Sequence, residues 1–546
     1  MEPSNKSSNR HERWLLVGVL LLGVLAYLPG TLNDLPFVVQ VEEVHFFGRH
    51  AARIAATGDL HPGWLGHPAS TVIYPVSAVY RTWFAAAHQG SLLGSNARLL
   101  TQFKEQVGAF LLLGRLVSAV YGVGALWLTY RLSDRLFGRR VALLATALLV
   151  PVPALLVLSQ LLRNDSATVF FTALALLAIV RVVERPTLRR QVWAGLACGL
   201  AISTKYYLGI LAITLLLADG MVLWRARGER PEQQRLLAGV LAGLASVALG
   251  FGLSTPYFVL DFPAAWRDLQ GEMRPTHLGA DGLSPLANLW WYASVALPSV
   301  WGWGRYLLTL VGASWVAWRG SVSKRLLLAF AAMFLVGISG SPLHWDRWIF
   351  PTLPVFAIGA AAAIDQSVRW VRQDRDLSPR TGGYLAALVG LAVCLVPLAQ
   401  TVQLQVQQVR PSTMVQTRRW LDEHISADTI IAREKYSFPT DGAPWQVVGG
   451  FALGQAPIEH YIEQGATLLI VSSGIYDRFY AEPDRYPAQI SFYEELDARG
   501  VKVYKAMPDL WTGGPTIKVY YVGPETLQIT LPYSQAQSTY HCSSQR

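Results

Sequence analysis

The chain has 546 residues, of which 52% are hydrophobic and 15% are charged, and its formal net charge is +10 at pH 7. Such an apolar chain with so few charges is untypical of a soluble globular protein and predicts an integral membrane protein. The basic balance does not indicate nucleic-acid binding, because about half of the Lys and Arg residues fall in six short loops between apolar spans, where membrane topology explains them.

The six basic loops predict the direction in which each span crosses the membrane. Cytoplasmic loops retain Lys and Arg, whereas short translocated loops do not. The N-terminus is therefore predicted to be cytoplasmic, and functional groups are expected on the opposite side. The loops contain Lys6/Arg10/Arg13, Arg131/Arg135/Arg139/Arg140, Arg181/Arg185/Arg189/Arg190, Arg225/Arg227/Arg230/Arg235, Arg319/Lys324/Arg325 and Arg369/Arg372/Arg375/Arg380.

Apolar stretches of about 20 residues predict a polytopic α-helical membrane protein with about eleven transmembrane helices. The stretch 191–223 is divided near Thr204-Lys205, because basic loops flank it on both sides and two crossings must lie between them. Lys205 is thereby placed at the outer surface, and the C-terminus is predicted to lie outside. The predicted spans are 14–32, 108–130, 141–160, 166–182, 191–203, 206–223, 236–255, 287–316, 326–340, 349–367 and 382–402.

Two long outer loops are predicted within the membrane domain, which is assigned to residues 1–404. The first loop, 33–107, contains amphipathic stretches at 44–56 and 71–87 that are expected to lie along the membrane surface. The second, 256–286, is rich in Pro and Gly.

Residues 410–523 have the composition of a soluble domain and are predicted to form a small α/β domain outside the membrane. Helices are expected at 413–424, 455–464 and 488–499, and strands at 429–433, 467–472, 501–506 and 516–522. The polar tail, residues 524–546, is expected to be disordered.

The acidic pair Glu42-Glu43 follows an apolar run shortly after the first span. A carboxylate that is partly desolvated there would have a raised proton affinity and could act as a general base. The alternative is a solvated acidic turn on an outer loop, and the pair taken by itself favours that alternative.

Three further groups fall in predicted outer connections, where ionisable side chains are functional candidates. Arg163 and Asp165 lie in a very short connection, in which Asp165 could instead cap the next helix. Lys205 could bind a phosphate or extend its ammonium to the interface. Arg347 could hold a phosphate or pair with Asp346.

Taken together, acidic and cationic groups at one membrane face suit a reaction on a lipid-linked phosphate. The lipid tail would lie between helices, and Lys205 and Arg347 would stabilise the charge that develops on the leaving phosphate. A carboxylate would take the proton of the acceptor hydroxyl as that oxygen attacks the sugar carbon.

The order of several segments resembles the GT-C superfamily of membrane glycosyltransferases. The nearest branch is that of the polyprenyl-phosphate-dependent protein mannosyltransferases and lipid A aminoarabinose transferases (glycosyltransferase family 39-like). The resemblance covers about residues 12–400. The segments are the acidic pair with ATGDLHP, then GRLVSAVYGVGALWLTYRLSDRLFGRRVALLATALL, LLRNDSATVFFTALALLAIV, GLACGLAISTKYYLGIL and DRWIFPTLPVFAI.

The resemblance implies an inverting transfer, at the outer membrane face, of a sugar from a polyprenyl-phosphate donor to a protein or glycolipid acceptor. The family's catalytic residue is usually an Asp followed by Glu, which matches Glu42 by the acidic pair and Glu43 by the distance to Gly58-Asp59. Asp165 matches a second acidic position, and Lys205 matches a lysine that contacts the lipid phosphate.

Arg163, Asp165 and His67 are assigned to orienting the substrate or a metal ion. The sequence shows no metal-ligand spacing, so no cofactor is certain, although a divalent cation held by Asp165 with Glu42 or Glu43 stays open. Two other functions remain as alternatives. A transporter or flippase would be expected to show paired half-length helices, and the Glu in place of Asp would permit a non-catalytic scaffold protein.

Overall fold

A computed structural model of the chain describes residues 4–67, 69–88, 96–280 and 282–523. The predicted tail, 524–546, lies outside the described residues. The chain divides into two compact units. The first contains residues up to 32 together with 41–405, and the second contains residues 33–40 together with the chain from 406 onward.

The first unit is helical. A π-helical turn, Glu43–Gly48, precedes α2, and short 3-10 turns, Tyr206–Gly209 and Asp346–Thr352, precede α10 and α18. The helices are α1 (Ser4–Tyr27), α2 (Arg49–Thr57), α3 (Ser70–His88), α4 (Ala97–Glu105), α5 (Val107–Phe137), α6 (Arg139–Leu149), α7 (Pro153–Ser159), α8 (Asp165–Glu184), α9 (Leu188–Ile202), α10 (Ile210–Arg225), α11 (Arg230–Ser254), α12 (Tyr257–Leu260), α13 (Phe262–Glu272), α14 (Pro285–Trp291), α15 (Leu297–Trp301), α16 (Trp303–Arg319), α17 (Val322–Ser339), α18 (Leu353–Arg375) and α19 (Pro379–Gln407).

Eight helices in the described part of the chain are long and apolar enough to cross a membrane, and nine if the bent pair α6–α7 counts as one span. Two of the eleven predicted spans, 191–203 and 287–316, fall on shorter helices. α9 has only 15 residues, which is shorter than the roughly 20 that a bilayer needs. The stretch 287–316 is not one helix either, because Gly302, with φ of 83°, separates α15 from α16.

Glycines bring α9 and α11 into close contact. A Cβ atom at Gly195 would lie 2.2 Å from the carbonyl oxygen of Gly243, and one at Gly199 would lie 2.5 Å from that of Val247. Small residues allow this approach between membrane helices. Because the paired numbers rise together, α9 and α11 run parallel, so the chain must return between them. α10 provides that return.

The bend between α6 and α7, which is 73°, is stabilised by a buried arginine. Arg305 of α16 donates from Nη1 to the carbonyl oxygens of Leu148 (2.8 Å) and Pro151 (3.2 Å). The last carbonyls of a helix have no partner within it, and a guanidinium at this end also interacts favourably with the helix dipole. The guanidinium packs over the Trp301 ring, 4.4 Å from its centre.

The second unit contains a five-stranded sheet. Its strands are β1 (Ile430–Glu434), β2 (Gln446–Gly450), β3 (Leu468–Ser472), β4 (Val501–Ala506) and β5 (Ile517–Tyr521), in the spatial order β2-β1-β3-β5-β4. β1 is parallel to β2 and β3, whereas β5 is antiparallel to β3 and β4. The helices are α20 (Thr413–His424), α21 (Ile458–Glu463), α22 (Ser473–Tyr480) and α23 (Pro487–Arg499). The sequence predicted four of these strands and missed β2 and α22.

Residues 33–40 belong to the second unit, although the sequence assigned them to the first outer loop of the membrane domain. Val39 packs in the core of the second unit with Val415 and Leu421. The backbone N–H of Val38 donates to Asp441 (3.2 Å), and the Ser412 N–H donates to Asp34 (2.9 Å). This segment therefore completes a core whose other members follow some 370 residues later.

Glu434 is a buried carboxylate at the end of β1. It accepts backbone N–H groups from Leu453 (3.0 Å) and Ser472 (2.9 Å) and the hydroxyl of Tyr493. Burial raises the pKa of Glu434 to about 7, and these hydrogen bonds oppose the rise.

We expect Arg305→Ala to lower the free energy of unfolding by about 2–4 kcal/mol, because two buried carbonyls lose their donor. Thermal unfolding of the purified protein in detergent measures the change. Arg319→Ala, at the exposed end of the same helix, is the control and should have little effect. Equal melting temperatures for both variants would contradict the assigned role of Arg305.

We expect the stability of the second unit to fall as the pH rises from about 4.5 to about 7. The folded state binds the Glu434 proton more tightly than the unfolded chain, so the stabilisation is complete below the unfolded pKa and is lost as the pH rises through the folded one, by at most about 3 kcal/mol. Pulse proteolysis across a urea series reports unfolding of residues 406–523.

Glu434→Gln should lack this component, so its stability relative to the unchanged protein should be greater at pH 8 than at pH 5. The same pH dependence in both proteins would assign the effect to other groups.

Candidate active site

Glu43 is fully buried in a bidentate ion pair with Arg115 of α5. The guanidinium donates from Nε to Oε1 (2.9 Å) and from Nη2 to Oε2 (2.7 Å), and its Nη1 donates to the Thr31 carbonyl (3.1 Å). The backbone N–H of Leu162 also donates to Oε1 of Glu43 (2.7 Å). Both carboxylate oxygens are thus occupied by these donors, so the geometry does not favour the expected role of Glu43 as a proton acceptor.

The connection after Leu162 is fixed by α5 and by the end of α9. The Ser118 hydroxyl donates to the Arg163 carbonyl (3.1 Å), and the Ser166 hydroxyl donates to the Ser118 carbonyl (2.8 Å). The amide of Asn164 donates to the Thr204 carbonyl (2.9 Å). The short connection between α7 and α8 therefore contacts α5 on one side and the residues after α9 on the other. These contacts also fix the position of Asp165.

Asp165 and Lys205, which are 40 residues apart in sequence, form a buried ion pair. The Lys205 ammonium donates to Oδ1 of Asp165 (2.8 Å), and Nε of Arg163 donates to Oδ2 (3.1 Å). The side chain of Asp165 does not cap α8, which excludes the alternative of an N-cap residue. Burial lowers the pKa of Lys205, and Asp165 partly offsets this by favouring the charged form.

Arg347 extends the positive charge around Asp165. It lies within electrostatic range of Asp165, Lys205 and His67. Its guanidinium packs over the Trp345 ring, 4.7 Å from the centre. In the portion of the chain that the structure describes, its side chain makes no ion pair, so the expected alternative of a pair with Asp346 is not observed. Three cations thus surround Asp165, and the surplus of positive charge suits an anion.

His67 enters the same group of residues from the first loop. Its ring lies against the rings of Phe46 (5.3 Å between centres), Phe47 (6.5 Å) and Trp64 (4.5 Å). Burial, together with the neighbouring charge of Lys205, lowers the pKa of His67 to about 3. The imidazole is therefore neutral at ordinary pH and can accept or donate a hydrogen bond without changing the charge of the site.

The loop that carries His67 is held by residues of the second long loop and of the break after α9. The Leu65 N–H donates to Asp268 (2.9 Å), and its carbonyl accepts the Tyr206 hydroxyl (2.7 Å). His61 pairs with Asp261 (3.2 Å). The two long loops of the sequence prediction therefore meet beside the site.

Glu42 precedes the π-helical turn Glu43–Gly48, in which Phe46 and Phe47 both contact His67. Glu42 is half-buried, which is the partly desolvated environment expected for a base.

The arrangement of the described carboxylates does not suit a site for a divalent cation. Asp165 is neutralised by Lys205 and Arg163, and Glu43 is neutralised by Arg115. Within the described ranges, no group of three or more His, Cys, Asp or Glu side chains is arranged to hold a metal ion.

Arg115 is the functional neighbour that the sequence analysis missed. It lies in the middle of an apolar span, where an arginine is costly and indicates a buried partner. An arginine within a predicted transmembrane helix is therefore the sequence feature that could have identified Arg115.

A family profile described as dolichyl-phosphate-mannose-protein mannosyltransferase matches residues 102–250, which include Arg115, Asp165 and Lys205. The chain is also 25% identical over 399 residues to undecaprenyl phosphate-alpha-4-amino-4-deoxy-L-arabinose arabinosyl transferase 1 of Pseudomonas fluorescens. That alignment covers 72% of this chain and 64% of the relative, so the chain matches less than two thirds of the length of that protein.

Two solved structures have a similar fold. ArnT from Cupriavidus metallidurans in the apo state is 15% identical, with a TM-score of 0.52 over 95% of this chain and 100% of that one. The Archaeoglobus fulgidus oligosaccharyltransferase in the apo form is 14% identical, with a TM-score of 0.50 over 88% of this chain and 72% of the other. The chain is therefore an integral membrane protein with the GT-C fold, and its sequence is similar to those of the aminoarabinose transferases and protein mannosyltransferases.

Proposed function

We propose that the protein is a membrane glycosyltransferase that transfers a sugar, with inversion, from a polyprenyl-phosphate donor to an acceptor hydroxyl of a protein or glycolipid. The observation that carries this proposal is the convergence of Lys205, Arg163 and Arg347 on Asp165, beside the neutral His67. The name of the Pseudomonas fluorescens relative contains undecaprenyl phosphate, which is an anion of the kind that such a site would bind.

The donor phosphate would contact Lys205 and Arg347. Arg347 has a guanidinium that is suited to two parallel hydrogen bonds with phosphate oxygens. Lys205 is already held by Asp165, so it is oriented before the donor binds. As the bond between the sugar carbon and the phosphate oxygen breaks, both cations stabilise the negative charge on the leaving phosphate. His67 can donate a hydrogen bond to the phosphate or to a sugar hydroxyl.

Glu42 is the proposed general base. It would accept the proton of the acceptor hydroxyl while that oxygen attacks the sugar carbon from the side opposite the phosphate, which inverts the configuration. Glu43, on this proposal, has a positioning role. It holds Arg115 and Leu162, and thereby the connection that carries Arg163 and Asp165.

The distribution of Lys and Arg in the loops supports a reaction at the outer face of the membrane, with the N-terminus in the cytoplasm and residues 410–523 outside. The name of the Pseudomonas fluorescens relative contains an aminopentose, so we propose that the transferred sugar is an aminopentose. Undecaprenyl-phosphate 4-amino-4-deoxyarabinose is accordingly the first donor to test.

Glu42 and Glu43 provide a matched pair for testing the two roles. Glu42→Gln should lower the rate of transfer by about 10²–10⁴-fold, which is the usual contribution of a general base, without a change in melting temperature. Glu43→Gln leaves a buried guanidinium without its charged partner and should cost about 3–5 kcal/mol of stability.

Two measurements separate the effects. Mass spectrometry follows consumption of the donor in proteoliposomes that contain membrane extract as acceptor, and thermal unfolding reports stability. Full activity of Glu42→Gln would remove the base assignment, and an unchanged melting temperature of Glu43→Gln would remove the positioning role.

Lys205→Met should weaken the binding of undecaprenyl phosphate by about 10–100-fold, because a charged hydrogen bond contributes about 1.5–3 kcal/mol. Lys104→Met, at an exposed position on α4, is the control. Microscale thermophoresis in detergent measures both affinities without requiring an acceptor. Equal affinity of Lys205→Met and the unchanged protein would show that Lys205 serves only to neutralise Asp165.

A further inference from the structure

A second basic cavity lies at the end of α8 opposite Asp165. α8 has 20 residues, so its two ends are about 30 Å apart. The cavity has a volume of about 460 Å³ and is lined by Arg181, Thr187, Arg189, Arg190 and Trp193 with Ala178. It is therefore separate from the group of residues around Asp165 and plays no part in the proposed transfer.

The arginines of this cavity differ in what they contact. Arg190 donates to the carbonyl oxygens of Arg181 (2.7 Å) and Arg185 (3.3 Å), so it holds the end of α8. Within the described residues, the side chains of Arg181 and Arg189 have no hydrogen bond or ion pair. The neighbouring carboxylate, Glu184, is paired with Arg135. Two guanidinium groups thus line the cavity without a direct ion-pair partner among the described residues.

The first turn of α9 adds further donors to the cavity. Thr187 caps this helix by accepting the Arg190 N–H (3.4 Å), and a helix N-terminus presents free N–H groups and a partial positive charge. The cavity therefore combines two charged side chains with backbone donors, which is an arrangement that favours a phosphate.

An apolar groove of about 450 Å³ continues directly from the cavity and shares Ala178, Arg181 and Trp193 with it. It runs between α8, α9 and α11. The Trp193 side chain is 59% exposed and Leu253 is 72% exposed, so the groove opens to the side of the helix bundle that faces lipid. Leucines line it at positions 174, 177, 196, 200 and 253.

We propose that the cavity and the groove together bind an anionic glycerophospholipid of the surrounding membrane. The phosphate would contact Arg181 and Arg189, and one acyl chain would lie in the groove. A soluble phosphate would leave the groove empty, whereas a phospholipid fills both parts. The polyprenyl phosphate of the proposed reaction would place its charge at the other end of α8, near Lys205.

Native mass spectrometry of the full-length protein in detergent can test the site with phosphatidylglycerol and, as the zwitterionic comparison, phosphatidylcholine. Arg181→Gln with Arg189→Gln should weaken phosphatidylglycerol binding about tenfold or more and leave phosphatidylcholine binding unchanged. Ala178→Phe, which fills the junction of cavity and groove, should cause a similar loss with every charge in place. Arg185→Gln, an exposed arginine of the same loop that lines neither space, is the matched control.

Equal phosphatidylglycerol binding by the double variant and the unchanged protein would overturn the proposal, as would an equal loss in Arg185→Gln. Arg189→Gln alone, at an exposed position, keeps the test decisive if the double variant is unstable. Displacement of the lipid by millimolar inorganic phosphate would show that the site binds small anions and does not recognise a phospholipid. If these variants lost binding of undecaprenyl phosphate but kept binding of phosphatidylglycerol, the groove would be assigned to the donor instead.

Discussion

The buried ion pair between Glu43 and Arg115 determines the arrangement of the candidate site. A carboxylate without water is stable only if its charge and its lone pairs are matched, and here three N–H donors from α5 and Leu162 match them. The pair therefore joins the first loop, a long membrane helix and the connection before α8 at one point. Removing either partner would leave the other charged group without compensation.

Around that point, the protein collects more positive than negative charge, and this is unusual for an apolar environment. The single negative charge of Asp165 offsets only one of the three cations Lys205, Arg163 and Arg347. In the proposed reaction, an incoming phosphate would reduce the remaining repulsion among the cations, and this favours binding of the anion. A neutral His67 is consistent with this arrangement, because a protonated imidazole would repel the neighbouring lysine and arginine side chains.

Some of the site could be predicted from the sequence. The basic loops divided 191–223 at the correct place, because the distribution of Lys and Arg reflects topology independently of packing. Lys205 and Asp165 were found as costly charges at span ends. Their mutual contact and the pairing of Glu43 with Arg115 could not be inferred, because the sequence does not show which of two adjacent carboxylates meets a partner on another helix.

The elements that were missed share a physical reason. β2 contains only two β-branched residues and ends in Gly449-Gly450, so its local preference for a strand is weak and its pairing with β1 decides its structure. The membership of residues 33–40 in the second unit rests on contacts with residues about 400 positions away. Local patterns carry no information about partners at that distance.

The length of α9 has a consequence for the depth of the chemistry in the bilayer. Its 15 residues extend about 22 Å, whereas the hydrocarbon layer is about 30 Å thick. If α9 crosses with its arginine-bearing end at one interface, as the basic loops predict, Lys205 would lie several ångströms below the opposite interface unless the lipids thin around the protein. In the proposed reaction, a polyprenyl headgroup that reaches Lys205 would then have to descend below the neighbouring headgroups and shed part of its hydration shell before any bond is broken.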